Sequence, residues 1–600
     1  MMISHFFSGR WVAVWVTSAG LLTGASGNGT PVRAAEAGKA LRRSVPDAAV
    51  ISFEVLRPDA LLDPLLSDAF ARRVQGLPFW SQITASSGFQ EFRGGVGLFE
   101  TALGTNWREA LRELTGGGLI VAAAPGNRAT LLVESRNPER LQKFHDLVAQ
   151  IATTESAKRG AADQVRSSTR AGVTCWSFDG KELHAVVGSR LVVASDPEVF
   201  DRVLATAKGP VGASLAGRPR YQAARRAVGP DAAAMLFVDL QAIRQAPGMA
   251  RLLQGPRGNP LGALVAGNLP AALQSADWLA VGVQVRGDTL AFQAVLGPAP
   301  AASAGSAAAA DFTSGARARL LPDPNVPGEV AALRLNRDLH RFYAAKDERF
   351  PNRTSGLIFF ENMMGIFFSG RDLTDEVFAA LEPEINFIVA RQDFAEDASV
   401  PTPELPGFAL VLRLRDPAAF RPVLEEAWQK ALGLVSFTRG QKAEMGFVLD
   451  RPRYGDVTYT TARFASAGLT PEARRDIRFN FQPTLAMRGD FAILSSSESL
   501  ARALLDALAR PDVATPKSER HAHTRLSLHG PALTALLAAN QEVLVRNNMV
   551  EKGHTRAEAE RDIRALLALA RQIKTVDLSW AGAPGPATAR LAIRFAPASR

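Results

Sequence analysis

Three histidines crowd one short stretch near the C-terminus: His521, His523 and His529. Imidazole is the commonest metal ligand and general base, so metal or acid–base chemistry would sit here if anywhere. With Thr524–Leu528 read as a strand, His523 and His529 stand six residues apart on one face, with Glu519 as a nearby acid. The two-histidine helix spacing of zinc hydrolases is missing and no further ligand can be named, so the stretch reads as polar residues flanking an edge strand. His145 and His340 stand alone. Cys175 is the only cysteine, which excludes an internal disulfide and a thiolate metal cluster. Its setting, Gly172–Phe178, is a strand pattern, where a lone Cys behaves as a small buried hydrophobe.

Other chemistry is equally faint. Neither a phosphate-binding P-loop nor a Gly-x-Ser-x-Gly elbow is present. Gly94, Gly95 and Gly97, and the run Gly116–Gly118, lack the spacing of a dinucleotide fingerprint and read as turn glycines. Glu425 and Glu426, and the set Glu558, Glu560 and Asp562, lie on helices among arginines, as surface ion pairs do. Asp239 and Asp416 begin helices, where free backbone N–H groups hold a carboxylate. The sequence therefore nominates no catalytic residue, no cofactor-binding residue, no metal ligand and no cofactor. It reads as a chain that is not an enzyme, with a hydrolase of unrecognised site as an alternative.

The elements are far clearer than the chemistry. One phrase recurs: a short apolar strand, a polar capping residue, often Pro, then an amphipathic helix. It runs through Leu131–Phe144, Leu191–Leu204, Leu410–Leu424 and Ala492–Leu505. A side-chain oxygen caps the helix, and Pro fits the first helical position because it has no N–H to leave unpaired. Adjacent strands joined by two or three residues, as at Gly188-Ser189 and Tyr454–Asp456, require antiparallel neighbours. The fold class is α+β, with mainly antiparallel sheets and helices packed on one face.

The phrase also exposes two tandem related modules. Pro46–Phe53 matches Pro327–Arg334, Gly118–Ala124 matches Glu384–Ala390, and Ala233–Leu240 matches His523–Gly530, at offsets of about 270–300 residues. Each half closes on two adjacent strands, Trp278–Val285 with Thr289–Leu296 and Thr575–Gly582 with Ala587–Phe595. The first module spans 40–297 and the second 320–600. The Ala/Pro/Gly/Ser run of 298–319 has no core-forming pattern and reads as a linker. Ala246–Asn268 reads as a long loop or lid-like insertion in the first module, and Ser156–Arg170 as a second, polar loop.

Residues 1–35 read as a signal peptide: Arg10, the apolar run Trp11–Leu22, then small residues with cleavage after Ala34. The run falls short of the roughly 20 residues that cross a bilayer, and no later stretch is long and apolar enough to span one. A periplasmic or secreted protein is expected. The net charge of +10 comes from scattered arginines, with a loose cluster at 217–226, and reads as solvated surface. Without aromatic-interleaved basic stripes, nucleic acid is not an expected partner.

Along Leu405–Trp428, and again at Phe479–Leu485, Phe491–Ser497 and Asn547–Gly553, the chain resembles a family of large exported bacterial proteins of unknown function. The likeness covers the second module well and the first loosely. It implies an extracytoplasmic, duplicated α+β protein and brings no catalytic residue. The function expected is a non-catalytic binding or structural role in the cell envelope, the partner being an envelope protein or an apolar ligand. A carrier of a hydrophobic ligand or lipid is the alternative, with Leu357–Phe360 and Met363–Phe368 as candidate apolar lining.

Overall fold

The computed structural model describes residues 39–77, 79–161, 164–178, 180–245, 260–267, 269–298, 320–321, 324–350, 355–394, 400–466, 468–510, 522–582 and 587–597. The signal peptide, nearly all of the linker, Glu519 and His521 lie outside the described residues. The rest forms two compact units. One draws on the chain from 39 to 245 with 275–298; the other takes 320–596 together with 260–267 and 269–274.

The first unit holds β1 (Ile51–Val55), β2 (Gly118–Ala124), β3 (Arg128–Glu134), β4 (Arg166–Arg170), β5 (Val173–Ser177), β6 (Leu183–Val187), β7 (Arg190–Ala194), β8 (Ala234–Val238), β9 (Leu279–Arg286) and β10 (Thr289–Leu296). All pair antiparallel, in the order β4-β5-β6-β7-β3-β2-β1-β8-β9-β10. Burial alternates along β1, where Ser52 and Glu54 turn inward, as a sheet covered on one face requires. The covering helices Pro197–Lys208 and Pro219–Val228 contribute Phe200, Val203, Tyr221 and Ala224 to a core that also holds Ile120, Leu132, Cys175, Met235 and Phe237.

The second unit holds β11 (Glu329–Asn336), β12 (Leu381–Ala390), β13 (Gly407–Leu414), β14 (Phe447–Asp450), β17 (Thr460–Phe464), β18 (Thr484–Arg488), β19 (Phe491–Ser495), β20 (Ala522–His529), β21 (Ile573–Ala581) and β22 (Thr588–Phe595). A small hairpin, β15 (Arg453–Tyr454) with β16 (Val457–Thr458), stands apart. The order is β14-β17-β18-β19-β13-β12-β11-β20-β21-β22, again antiparallel throughout. Strand for strand, this is the order of the first unit. Leu500, Leu504 and Leu505 of the helix Glu498–Leu508 pack on Ile388, Val411 and Ile493.

Three of the four recurrent phrases are capped as their sequence implies. Asn137, Asp196 and Asp416 each accept a hydrogen bond from the backbone N–H three residues on, at 2.9–3.0 Å. Ser497 departs from this: its hydroxyl pairs with Ser499 at 2.8 Å and makes no cap bond.

Local signals mislead at four other places. Gly94, Gly95 and Gly97 lie inside the helix Ser87–Leu103, not in a turn, although helix propensity disfavours each by about 1 kcal/mol. Residues 156–158 extend the helix Pro138–Lys158, and Arg166–Arg170 is the edge strand β4, folded onto β5 by a turn with positive φ at Ala171 and Gly172. β20 is not an edge strand, because β11 and β21 flank it. Pro260–Ala266, expected to be loop in the first module, is a helix that groups with the second unit.

Candidate functional site

Three polar clusters of the first unit lie in or against its core. His145, on the helix Pro138–Lys158, and His184, on β6, are both buried, and Nε2 of one lies 3.0 Å from Nδ1 of the other. Burial, and to a lesser degree the neighbouring His145, pushes His184 down to about 3. Burial lowers His145 as well, opposed by Asp146. Phe178 stacks edge-on against His184 with centroids 4.3 Å apart. The two rings are a neutral hydrogen-bonded pair. Sequence reading sees His145 alone, since its partner lies 39 residues away on a different kind of element.

Glu54 is likewise buried on β1 and accepts from Arg42 at 3.3 Å, Arg225 at 3.4 Å and the Tyr221 hydroxyl at 2.5 Å. Burial first, then the Glu54 charge, raises the Tyr221 phenol well above its ordinary value. Asp239 caps its helix through the Ala242 N–H at 2.9 Å and takes Arg218 at 2.7 Å. These are satisfied structural pairs in which each charge has a partner.

In the second unit His523 is buried and His529 half-exposed, 3.7 Å from a Glu329 carboxylate oxygen. Six residues along one strand separate the two rings by about 20 Å, so no single ion spans them. Among the described residues no group of three or more His, Cys, Asp or Glu side chains is placed to hold a metal. His523 instead faces Arg337, the largest fully buried side chain among the described residues. Arg337 donates to the carbonyls of Leu264 at 2.6 Å, Val265 at 2.9 Å, Asn336 at 2.8 Å and His523 at 2.9 Å, and to the Thr524 hydroxyl at 2.5 Å. Beside it Phe342, Tyr343, Phe350 and Leu357 form an apolar cluster that Ala263 and Leu264 join.

The candidate lining segment turns about half of its apolar side chains outward. In the helix Ser355–Phe367, Leu357 joins that cluster, but Ile358, Phe359, Phe360 and Ile366 face solvent, Phe359 at 66% exposure. Its one charged side chain, Glu361, accepts a hydrogen bond from the Tyr343 hydroxyl at 2.7 Å.

The first unit repeats this helix. Ser87–Leu103 aligns without a gap on the chain from Ser355 onward, sharing Ser87/Ser355, Gly88/Gly356, Phe92/Phe360, Gly97/Gly365 and Phe99/Phe367. Exposure agrees too: Phe92 is 54% exposed against 38% for Phe360, and Leu98 53% against 57% for Ile366. Scattered apolar residues on a surface are ordinary; the same ones at the same positions of two units are not scattered.

A hollow of about 30 Å³ in the first unit is lined by Val45, Ala49, Ala122 and Val199 together with Arg128 and Arg202. It has room for a water or two and not for a lipid.

No family model matches the chain, and no curated protein does. Among solved structures, crystal forms I, IV and III of the protein TP0453 align with it at 11%, 12% and 12% identity, each with a TM-score of 0.23. The alignments cover 42%, 42% and 43% of this chain and 77%, 79% and 80% of those chains. Among the described residues, no helix is long and apolar enough to cross a membrane.

Proposed function

We propose that this is an exported, non-catalytic binding protein of the cell envelope, built as two copies of one ancestral α+β unit, each presenting the same apolar helix to a partner. One observation carries the reading. Phe92 and Leu98 in one unit, and Phe360 and Ile366 in the other, sit at matching positions and face outward. A folded protein that keeps such residues exposed twice over is using them for contact, because exposed apolar groups gain nothing until covered. The matching strand orders of the two units support the duplication, and Arg10 with the apolar run after it supports export. The polar clusters of the first unit support a role without catalysis, since each is consumed in holding the core together.

The test is the quadruple variant Phe92→Asp, Leu98→Asp, Phe360→Asp and Ile366→Asp beside the parent chain. Both are purified from native envelopes under mild detergent, with mass spectrometry of whatever co-elutes. Loss of a specific partner at an unchanged melting temperature supports the reading. The same partners recovered with both proteins would defeat it.

A further inference from the structure

We infer that the second unit contains a groove for an apolar peptide ending in a free carboxylate, and that the chain's own helix Pro260–Ala266 occupies it as a stand-in. This rests on the reading of the protein as a binding protein and names a ligand class for it. The contacts define the chemistry. The last carbonyls of a helix have no intrahelical partner and carry about half a negative charge between them. Those of Leu264 and Val265 receive the Nε and Nη2 hydrogens of Arg337. Two oxygens on one planar guanidinium are what a carboxylate would offer, with a whole charge in place of a partial one. Ala263 and Leu264 meanwhile reach the cluster of Phe342, Tyr343, Phe350 and Leu357, standing in for the ligand's last apolar side chains. Capture of a terminal carboxylate beside apolar pockets is an established mode of peptide recognition.

Two further observations mark the helix as an occupant and not as part of the wall. None of its seven residues is fully buried, and Leu261 is 74% exposed. The first unit supplies the control. Arg57 follows β1 at the place where Arg337 follows β11, yet it is exposed and donates to the Asp231 carbonyl. The strand end alone does not bury a guanidinium; Arg337 is buried where the helix carbonyls and the groups of β20 receive it together.

The probe is an acetylated peptide with the sequence of residues 259–265 and a free C-terminal carboxylate, compared with the same peptide amidated, on the full chain. The acid should bind at least tenfold tighter than the amide, and hydrogen exchange at 260–266 should accelerate as it seats. Arg337→Gln should erase the difference. Should that variant fail to fold, Leu264→Ser, which loosens the stand-in without altering the groove, should tighten peptide binding several-fold. Equal binding of acid and amide, or unchanged exchange at saturation, would overturn the proposal, as would decanoate binding where the peptide does not. The quadruple helix variant keeps the two readings apart: it should still bind the peptide, so loss of envelope partners and loss of peptide binding are separate failures.

Discussion

Nε2 of His145 lies 3.0 Å from Nδ1 of His184, and both rings are shut away from water. A neutral pair can share that hydrogen bond; an imidazolium there would lose its hydration. Both groups titrate below the ordinary 6.5 in the folded chain, His184 at about 3. The unfolded chain therefore binds more protons as pH falls, so the pair's contribution to stability is intact above pH 6.5 and is lost progressively below it. For His184, which titrates at about 3, the slope approaches about 1.4 kcal/mol per pH unit well below pH 6.5, and His145 adds in the same direction. Melting temperature followed from pH 8 to pH 4 should decline below pH 6.5, and His184→Gln should flatten the decline by about one proton. A variant whose profile overlays the parent would refute the assignment.

Glu54 is the negative pole of a buried cluster with Arg42 and Arg225. Removing it strands Arg42 in the core, so Glu54→Ala should cost about 3–5 kcal/mol. Tyr221→Phe deletes only the hydroxyl donor and should cost about 1 kcal/mol. Chemical denaturation of the two variants against the parent chain measures the ratio.

Two glycines predict opposite signs. A Cβ on Gly530 would lie 1.8 Å from the carbonyl oxygen of Ile573, which is backbone and cannot swing aside. A Cβ on Gly365, inside the helix Ser355–Phe367, meets nothing within 4 Å. Gly530→Ala should therefore destabilise by at least about 1–3 kcal/mol, whereas Gly365→Ala should stabilise by about 0.5–1 kcal/mol. Thermal melts of both decide it.

Within one helix, exposure also sets what a truncation does. Leu357 is buried in the cluster beside Arg337, so Leu357→Ala should cost about 2–5 kcal/mol. Phe359→Ser, at a residue 66% exposed, should stay within about 0.5 kcal/mol of the parent in stability. Urea unfolding midpoints of the two test this directly.

How much of this could be read from the sequence depends on how far each signal travels along the chain. Caps at Asn137, Asp196 and Asp416 act over three residues and were legible, as were the strands and helices of the recurrent phrases. The strand β4 was hidden because Arg166–Arg170 is polar and becomes a strand only by pairing with β5. The run Leu357–Phe360 could not reveal its own orientation: four consecutive apolar residues circle the helix and have no stripe to point inward. The His145–His184 pair and the Arg337 hub join residues from distant elements, where no local pattern reaches. The glycines of Ser87–Leu103 misled because intrinsic propensity is a weak guide that a helix can override.

The seating of Pro260–Ala266 among residues of the second unit makes the polypeptide visit that unit before it has finished the first, since β9 and β10 follow later. A ribosome therefore releases a piece of the later half while the earlier one still lacks two strands. A reading frame severed at the Ala/Pro/Gly/Ser run would leave each product with a foreign part or a missing one. Such threading works as a ratchet: a half that has lent a segment to the other is no longer whole on its own.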